Sequence, residues 1–263
     1  MIFRIIDDGP HDTAFNMAAD LYLLSLCEQA PSIFVRLYSW ERPSITLGAA
    51  EKPRETLDMA AISEKDVAWI RRPTGGRSVL HDHDITYSCI FSNGIREMGT
   101  TLMGTYEVIS NCLMKGLALC GINCAAHESA LDDQSPRGRA RLPCFLSPNR
   151  HEIMVKGKKL VGSAQKRTSN AVLQHGSIPL TPAFRMLPDL LNVEQDQRKA
   201  QERLLGQKTI CISELLPEFD VKEIRRNLLR GFRQTLPFPL ESAPWTAREL
   251  DEIRCRQEPS AIS

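Results

Sequence analysis

The stretch RRPTGGRSVLHDHDITYS, residues 71–88, decides how the fold is organised. It follows DVAWIR (66–71), which has a strand-like composition, and it passes into the β-rich run DITYSCIF (84–91). Gly75 and Gly76 lie between these runs, where they let the backbone turn and approach a ligand closely. We therefore predict a strand–turn–strand unit whose turn is either a binding loop or an ordinary turn with solvated arginines.

Strands and helices are mixed along the rest of the chain. Strands are predicted at 3–7, 32–40, 44–48, 151–165 (two strands) and 170–180, and helices after Asp12 or Thr13, after Pro53, over 100–120 and beyond Pro188. The helix over 100–120 has an apolar face from Leu102 to Cys120 and is expected to end at Gly121. Residues 41–43 are expected to connect two strands of one sheet. Because strand and helix do not alternate strictly, the pattern predicts an α+β fold with a mixed, largely antiparallel sheet flanked by helices.

Composition limits the classes of partner. The 263 residues include 33 Lys and Arg against 32 Asp and Glu, and a net charge of +1 argues against extensive nucleic-acid binding. No apolar run is long enough to cross a bilayer, and the first residues lack the pattern of a signal peptide. We therefore expect a cytoplasmic protein that binds neither nucleic acid nor a membrane. Its 8 cysteines lie mostly in apolar segments and are expected to be free thiols.

Arg71, Arg72 and Arg77 flank the two glycines of the loop. Guanidinium groups form forked hydrogen bonds with phosphate and carboxylate groups, so these side chains are candidates for binding an anionic ligand. The loop is not a nucleotide P-loop, because no Gly-Lys-Ser/Thr follows it, and it does not match G-x-G-x-x-G.

Two patterns suggest a metal site at first sight. In H-D-H-D, His81 and His83 share a side only if the segment is extended, and a lone histidine near a strand is typically structural. In Cys120-x₃-Cys124-x₂-His127 the spacing differs from that of zinc sites, and Cys120 completes the apolar face of a helix. We expect no metal.

Cys144 and Lys159 are the candidate reactive residues. Cys144 follows an arginine-bearing polar loop (127–143), and neighbouring cations favour the reactive thiolate form of a cysteine. The alternative is a buried cysteine at the start of a strand. Lys159 precedes LVGSAQ, whose small residues allow a ligand to come close, although a lysine at the end of a hairpin is typically solvated.

Four stretches together resemble the lipoate–protein ligase and octanoyltransferase family, within the biotin/lipoate ligase superfamily. They are AFNMAAD (14–20), RRPTGGRSVLHD (71–82), PCF (143–145) and GKKLVGSAQKR…VLQHGSI (157–178). They occur in the order of the family and span about two-thirds of the chain. The resemblance implies the biotin/lipoate ligase catalytic fold, with a catalytic domain over 1–200 and a helical segment over 201–263 packed on the same domain.

The details of the loop resemble the octanoyl-[acyl-carrier-protein]–protein N-octanoyltransferase branch. Many ATP-dependent lipoate ligases have a third glycine where this chain has Arg77, and the octanoyltransferase branch places a nucleophilic cysteine at the position of Cys144. The resemblance therefore implies that Cys144 is the nucleophile. It also implies that Lys159 is a catalytic residue that holds the acyl carbonyl and passes protons.

The resemblance further implies the substrates. Octanoyl-acyl carrier protein would be the donor, and the acceptor would be a lysine of a lipoyl-type domain, such as the glycine-cleavage H protein or a 2-oxoacid dehydrogenase subunit. Three arginines of the polar loop, Arg137, Arg139 and Arg141, are expected to dock an acidic carrier protein. Substrate binding is expected at Arg71, Arg72, Thr74, Gly75, Gly76, Arg77, His81, Gly162, Ser163, Ala164, His175 and Gly176.

Other functions remain open from the sequence. An ATP-dependent lipoate ligase would form an acyl-adenylate and need ATP and Mg²⁺, whereas the octanoyltransferase needs no cofactor. An amidotransferase between lipoyl proteins would also use a cysteine. A non-catalytic protein that binds lipoyl domains belongs to a different class, and a zinc hydrolase is a further alternative.

Overall fold

The computed structural model describes residues 2–126 and 152–257, and two β-sheets organise this part of the chain. The larger sheet contains β1 (Ile2–His11), β2 (Ser32–Trp40), β6 (Asp84–Ser92), β7 (Ala125–Ala126), β8 (Ile153–Val155), β9 (Lys158–Arg167), β10 (Ala171–Pro179) and β11 (Glu241–Ser242). The smaller sheet contains β3 (Ser44–Leu47), β4 (Ala68–Arg71) and β5 (Val79–His81).

The larger sheet has the strand order β11-β1-β2-β6-β10-β9-β8-β7. β1 pairs in parallel with both β2 and β11, and the remaining neighbours are antiparallel. The smaller sheet has the order β4-β3-β5. The predicted mixed, largely antiparallel sheet is therefore confirmed.

Helices cover both faces of the larger sheet. The helices of the described residues are α1 (Thr13–Gln29), α2 (Pro53–Thr56), α3 (Met59–Glu64), α4 (Leu102–Leu119), α5 (Gln195–Lys208), α6 (Val221–Thr235) and α7 (Ala247–Cys255), with 3-10 helices at Arg96–Met98, Pro182–Leu190 and Ile212–Glu214. α1 and α7 pack on one face of the sheet, around Phe34, Ile90 and Leu173. α4 and α6 pack on the other face, which forms the largest core cluster. Within the described ranges, every helix is too short or too polar to span a bilayer.

Local signals set the ends of the two longest helices. The Asp12 carboxylate accepts the Phe15 N–H at 2.7 Å and caps α1. Thr101 caps α4, and Gly121 follows its last turn with a φ of 79°, a left-handed conformation that glycine adopts without strain. Both predicted helix boundaries are confirmed.

Several expectations about the sheets and helices are wrong. Residues 41–43 join two sheets rather than two strands of one sheet, since β2 and β3 belong to different sheets. The strands on either side of the glycine loop, β4 and β5, do not pair with each other, because β3 lies between them. Leu102 is 49% exposed rather than part of the apolar face of α4. The predicted helix after Pro53 is present, as the single turn α2 followed by α3.

The C-terminal part of the chain is not purely helical. It contains β11, which extends the larger sheet beside β1, and α6 and α7, which pack on opposite faces. The predicted boundary at residue 200, between the catalytic domain and the C-terminal segment, stays a prediction. The polar loop at 127–143, with its three arginines and His127, lies outside the described residues, and so does Cys144.

Candidate functional site

A cavity lies between the two sheets. Strands β2, β6, β10 and β9 form its floor, the small sheet covers it with Thr46, Val79 and His81, and Met17 of α1 lines one side. The surface that faces the cavity is predominantly apolar, and the space, including its open mouth, is about 430 Å³. The residues that line the floor of the cavity come from four adjacent strands of the larger sheet.

The structure brings many of the predicted binding residues to this cavity and leaves others away from it. Those that line it are Arg72, His81, Gly162, Ser163, Ala164, His175 and Gly176. Thr74 is buried and contacts His175. Arg71, Gly75, Gly76 and Arg77 are exposed and do not line it, and neither does the buried Lys159. For all of these residues, those that line the cavity and those that do not, the roles in substrate binding or catalysis stay predictions.

Arg72 determines the shape of the glycine loop. Its buried guanidinium donates to the carbonyl oxygens of Thr46 (2.8 Å), Gly75 (2.8 Å) and Arg77 (2.7 Å). Gly76 has a φ of 94°, and a side chain at Gly48 would collide with its carbonyl group. The glycines therefore serve the close packing of the loop on the small sheet, and Arg72 serves to hold the loop.

Arg71 and Arg77 differ from Arg72 in being exposed, and their side chains hydrogen-bond to no described residue. These two guanidinium groups are therefore positioned to face solvent or an anionic ligand at the rim of the loop.

Below the cavity, Asp20 of α1 binds His175 of β10. The carboxylate can only accept, so His175 Nδ1 donates to Asp20 Oδ2 at 3.2 Å, and its Nε2 accepts the Thr74 hydroxyl at 2.7 Å. Asp20 also accepts from Arg36 (3.2 Å) and from the Tyr38 hydroxyl (3.2 Å). The Asp20 and Arg36 side chains are both 0% exposed, so the ion pair is fully buried.

A second Asp–His–Thr arrangement involves β3 and β5 of the small sheet. His81 Nδ1 donates to Asp84 at 2.8 Å, and His81 Nε2 accepts the Thr46 hydroxyl at 3.0 Å. Arg72 joins the two arrangements, because it donates to Thr74 Oγ1 at 3.1 Å and to Thr46 Oγ1 at 3.4 Å. We refer to these seven side chains as the polar chain: Asp20–His175–Thr74–Arg72–Thr46–His81–Asp84.

The electrostatics of Asp20 and His175 match this arrangement. Burial raises the pKa of Asp20, but the hydrogen bond from His175 and the charge of Arg36 outweigh it and hold that pKa below its usual value of 3.8. Burial lowers the pKa of His175 below its usual 6.5, against the opposing effect of Asp20. At neutral pH the carboxylate is therefore charged and the imidazole neutral, so each hydrogen bond between Asp20, His175 and Thr74 has one donor and one acceptor.

Arg36 extends the buried charges towards β1. Its guanidinium also bonds to Asp8 at 2.9 Å and to the Asn16 side chain at 2.7 Å. Burial raises the pKa of Asp8, but hydrogen bonds from His11 and Trp245 together with the Arg36 charge lower it overall. A buried arginine thus has two carboxylate partners, which offsets the desolvation of its charge.

Lys159 lies at the start of β9 and forms an ion pair with Glu152, with 2.5 Å between Nζ and Oε1. The register between β8 and β9 shifts here, since Met154 faces Lys159 while Ile153 faces Val161. Because of this bulge, the consecutive residues Leu160 and Val161 both lie in the core, and the direction of the Lys159 side chain changes.

Of the two metal-like patterns, only H-D-H-D lies wholly in the described residues, because His127 of the other lies outside them. His83 is exposed in a turn with a φ of 55°, so it does not share an extended strand with His81. In residues 2–126 and 152–257, no group of three His, Cys, Asp or Glu side chains has the arrangement of a metal site. The seven cysteines in these ranges are free thiols, as expected.

Four residues belong to the site without having been predicted from the sequence: Asp20, Arg36, Tyr38 and Asp84. One signal was present: Asn16 and Asp20 are four residues apart, on one side of an otherwise apolar helix. Polar side chains on a face that must be buried require partners, which predicts a buried network. The partners themselves lie on distant strands and have no local signature.

The fold and the cavity define a lipoate-ligase-like protein. A lipoate–protein ligase A structure bound with ATP superposes with a TM-score of 0.76 at 20% identity, covering 97% of this chain and 93% of that chain. An archaeal bipartite lipoate protein ligase from Thermoplasma acidophilum superposes with a TM-score of 0.78 at 19% identity, covering 97% and 91%. These likenesses show the fold and confirm the predicted lipoate-ligase architecture.

The family follows from the sequence comparison. Residues 12–233 match the family described as "Lipoyl protein ligase A/B catalytic domain", and the chain belongs to it. Octanoyltransferase LipM of Geobacillus kaustophilus is 34% identical over 258 residues, covering 94% of this chain and 91% of the relative. Octanoyltransferase LipM of Bacillus subtilis is 33% identical over 256 residues, covering 95% and 92%.

Proposed function

We propose that the protein is an octanoyltransferase of protein lipoylation. The observation that supports this most directly is the mostly apolar cavity between the two sheets, which suits a saturated acyl chain. The near-full-length similarity to octanoyltransferases supports the reaction, and the lipoyl ligase family supports a lipoyl-type domain as the acceptor.

In the proposed mechanism, the Cys144 thiolate attacks the thioester carbonyl of an octanoyl-carrier protein. The carbon–sulfur bond to the carrier breaks, the carrier thiol leaves, and octanoyl-Cys144 forms. The amine of the acceptor lysine then attacks this thioester. An amide forms, the Cys144 sulfur leaves, and the amine proton is released. Lys159 supports both steps as a donor to the carbonyl oxygen and as a proton carrier.

This chemistry needs no ATP, because exchange between thioesters is nearly isoenergetic and the final amide is more stable than a thioester. It needs a reduced cysteine, which suits the cytoplasm, where disulfides are rare. Arg137, Arg139 and Arg141 would attract an acidic carrier protein. Their replacement by Glu should raise the apparent KM for the carrier and reduce its salt dependence, and unchanged kinetics would refute this role.

The test is intact mass spectrometry of the protein with octanoyl-carrier protein and no ATP. An added octanoyl group is expected on the parent and on Cys255→Ala, which removes an exposed free thiol, but not on Cys144→Ala. If no adduct forms and a lipoyl domain is modified only when lipoate and ATP are supplied, the protein is a ligase instead. An adduct that survives in Cys144→Ala but not in Cys255→Ala would show nonspecific acylation.

A further inference from the structure

A basic surface surrounds the start of β9, where Lys159 lies. A two-residue turn joins β8 to β9, and both of its residues, Lys156 (φ 51°) and Gly157 (φ 72°), have a left-handed backbone. The next residue, Lys158, donates from Nζ to the Gly206 carbonyl oxygen of α5 at 3.3 Å. The hairpin is therefore attached to the last turn of α5.

The backbone fixes the end of α5 to β9 as well. Thr209, directly after α5, forms a parallel bridge with Lys159, and the Ile210 N–H donates to the Lys159 carbonyl oxygen at 3.0 Å. Lys158 and Lys208 directly precede the two bridged residues, so the backbones of these two lysines lie side by side.

Four cations form this surface, which we call the hairpin–α5 surface: Lys156, Lys158, Arg203 and Lys208. Arg203 belongs to it because it lies one helical turn before Gly206, the residue that Lys158 contacts. Lys158 is half-buried and the other three are exposed, and none of the four forms an ion pair with a residue in the ranges 2–126 and 152–257. Even with the exposed Glu202 next to Arg203, the surface keeps an excess of positive charge.

Local folding accounts for only part of this charge. Lys208 suits the C-terminal end of α5, where a cation is stabilised by the helix dipole. Lys156 has no such reason, because Gly or Asn adopts a left-handed backbone with less strain than lysine. Arginines elsewhere, such as Arg4 and Arg185, are paired with carboxylates. A group of cations without such partners suits an anionic partner from outside the chain.

The hairpin–α5 surface borders the reactive end of the proposed site. β9 runs from Lys159 to the cavity-lining residues Gly162, Ser163 and Ala164, so the start of the strand is about 10 Å from the cavity wall. In the proposed mechanism the acyl chain fills the cavity and Lys159 contacts its carbonyl group. The body of the donor therefore lies beyond Lys159, on the side of the four cations.

From this placement we infer that the hairpin–α5 surface docks the acidic protein that carries the donor acyl group. The inference rests on the proposed octanoyl transfer and adds a docking surface outside the polar loop at 127–143. Complementary charges at the rim of an interface mainly speed the encounter, so their effect belongs to KM rather than to kcat and weakens with salt. A lipoyl domain docked there instead would show the effect in the KM of the acceptor.

The experiment compares the parent with Lys156→Glu/Lys208→Glu. The matched control is Lys115→Glu/Lys222→Glu, which reverses two exposed lysines of α4 and α6 that also form no ion pair with a described residue. At low salt, the KM for octanoyl-carrier protein should rise at least about fivefold in Lys156→Glu/Lys208→Glu, with kcat within about twofold of the parent. The rise should shrink at about 0.5 M salt. Arg203→Glu should give a smaller rise and the control none.

A small donor separates docking from damage to the reactive centre. Octanoyl-pantetheine is an uncharged thioester without a protein, so its kcat/KM should be the same in the parent and in Lys156→Glu/Lys208→Glu. An equal fall with this donor, a rise in the KM of the lipoyl domain alone, or an unchanged KM for octanoyl-carrier protein would each overturn the inference.

A binding measurement distinguishes failure of this inference from failure of the proposed function. Calorimetric titration with the carrier protein in its non-acylated form needs no turnover. The parent and the control should bind it equally at low salt, and folded Lys156→Glu/Lys208→Glu should bind it at least about fivefold more weakly. If the parent transfers no octanoyl group, the proposed function fails, and this comparison still decides the docking surface. Equal binding by the parent and the folded variant would overturn the inference.

Discussion

Replacing Asp20 by Asn tests the buried centre of the site. Asp20 is 0% exposed and accepts hydrogen bonds from Arg36, Tyr38, Ser88 and His175. The substitution keeps the size of the side chain but removes its charge, and it replaces an accepting oxygen by an NH₂ group. That NH₂ group faces groups that are themselves donors, so at least one contact is lost.

The expected loss of stability in Asp20→Asn depends on which partners Arg36 keeps. Removing one member of a buried ion pair costs about 3–5 kcal/mol. The lower end applies here, because Arg36 keeps Asp8 as a second carboxylate partner at 2.9 Å. For a chain of this size about 3 kcal/mol corresponds to a fall of about 6–12 °C in Tm. Asp66→Asn is the matched control: Asp66 pairs with Arg42, but its side chain is 82% exposed, so its Tm should stay within about 2 °C of the parent.

The pH dependence gives a second test of the same variant. The pKa of Asp20 is lower in the folded protein than its usual 3.8, so its contribution to stability is complete above that pH. The contribution is lost as the pH falls through the folded pKa. The difference in free energy of unfolding between the parent and Asp20→Asn should therefore be constant near neutrality and narrow below pH 3.8. Urea titration over this pH range measures it, and a Tm of Asp20→Asn within about 2 °C of the parent at pH 7 would refute the reasoning.

Three further predictions concern the cavity and its surroundings. In Gly176→Ala the new methyl would lie 2.7 Å from Tyr87 Cε1, so calorimetry should show a fall of several degrees in Tm. Gly206→Ala is the control, because nothing lies within 4 Å of the new methyl there, and its Tm should not fall in this way. Equal Tm values for the two variants would contradict the prediction. The pKa of His175 is lowered from 6.5, so as the pH falls the unfolded chain binds a proton before the folded protein does, and the stability of the parent decreases below pH 6.5. Urea titration should show a weaker dependence of stability on pH in His175→Gln. An unchanged dependence would mean that another group causes it. Lys159→Met should slow octanoyl transfer to a lipoyl domain at least about 100-fold, and a rate within about threefold of the parent would remove Lys159 from the mechanism.

The elements of the fold were predictable where local chemistry decides them. The caps at Asp12 and Gly121 and the β-rich composition of β6 are properties of neighbouring residues, and each of these elements was found as expected. The assignment of strands to sheets was not predictable in the same way. β3, β4 and β5 form a separate sheet because β3 pairs with both β4 and β5, and pairing depends on the whole chain rather than on a local period.

The sequence by itself determined which residue types are available for chemistry and how they are ordered: the arginines and glycines of the loop, Cys144, and the lysine before the Gly-Ser-Ala strand. Only the tertiary structure decided that Arg72 holds its own loop, that His175 meets an aspartate 155 residues away, and that Trp40 lines the cavity. The physical reason is that buried polar groups must find partners wherever the packed strands place them. Those places depend on register and on the contact between two sheets, which no single stretch of sequence specifies.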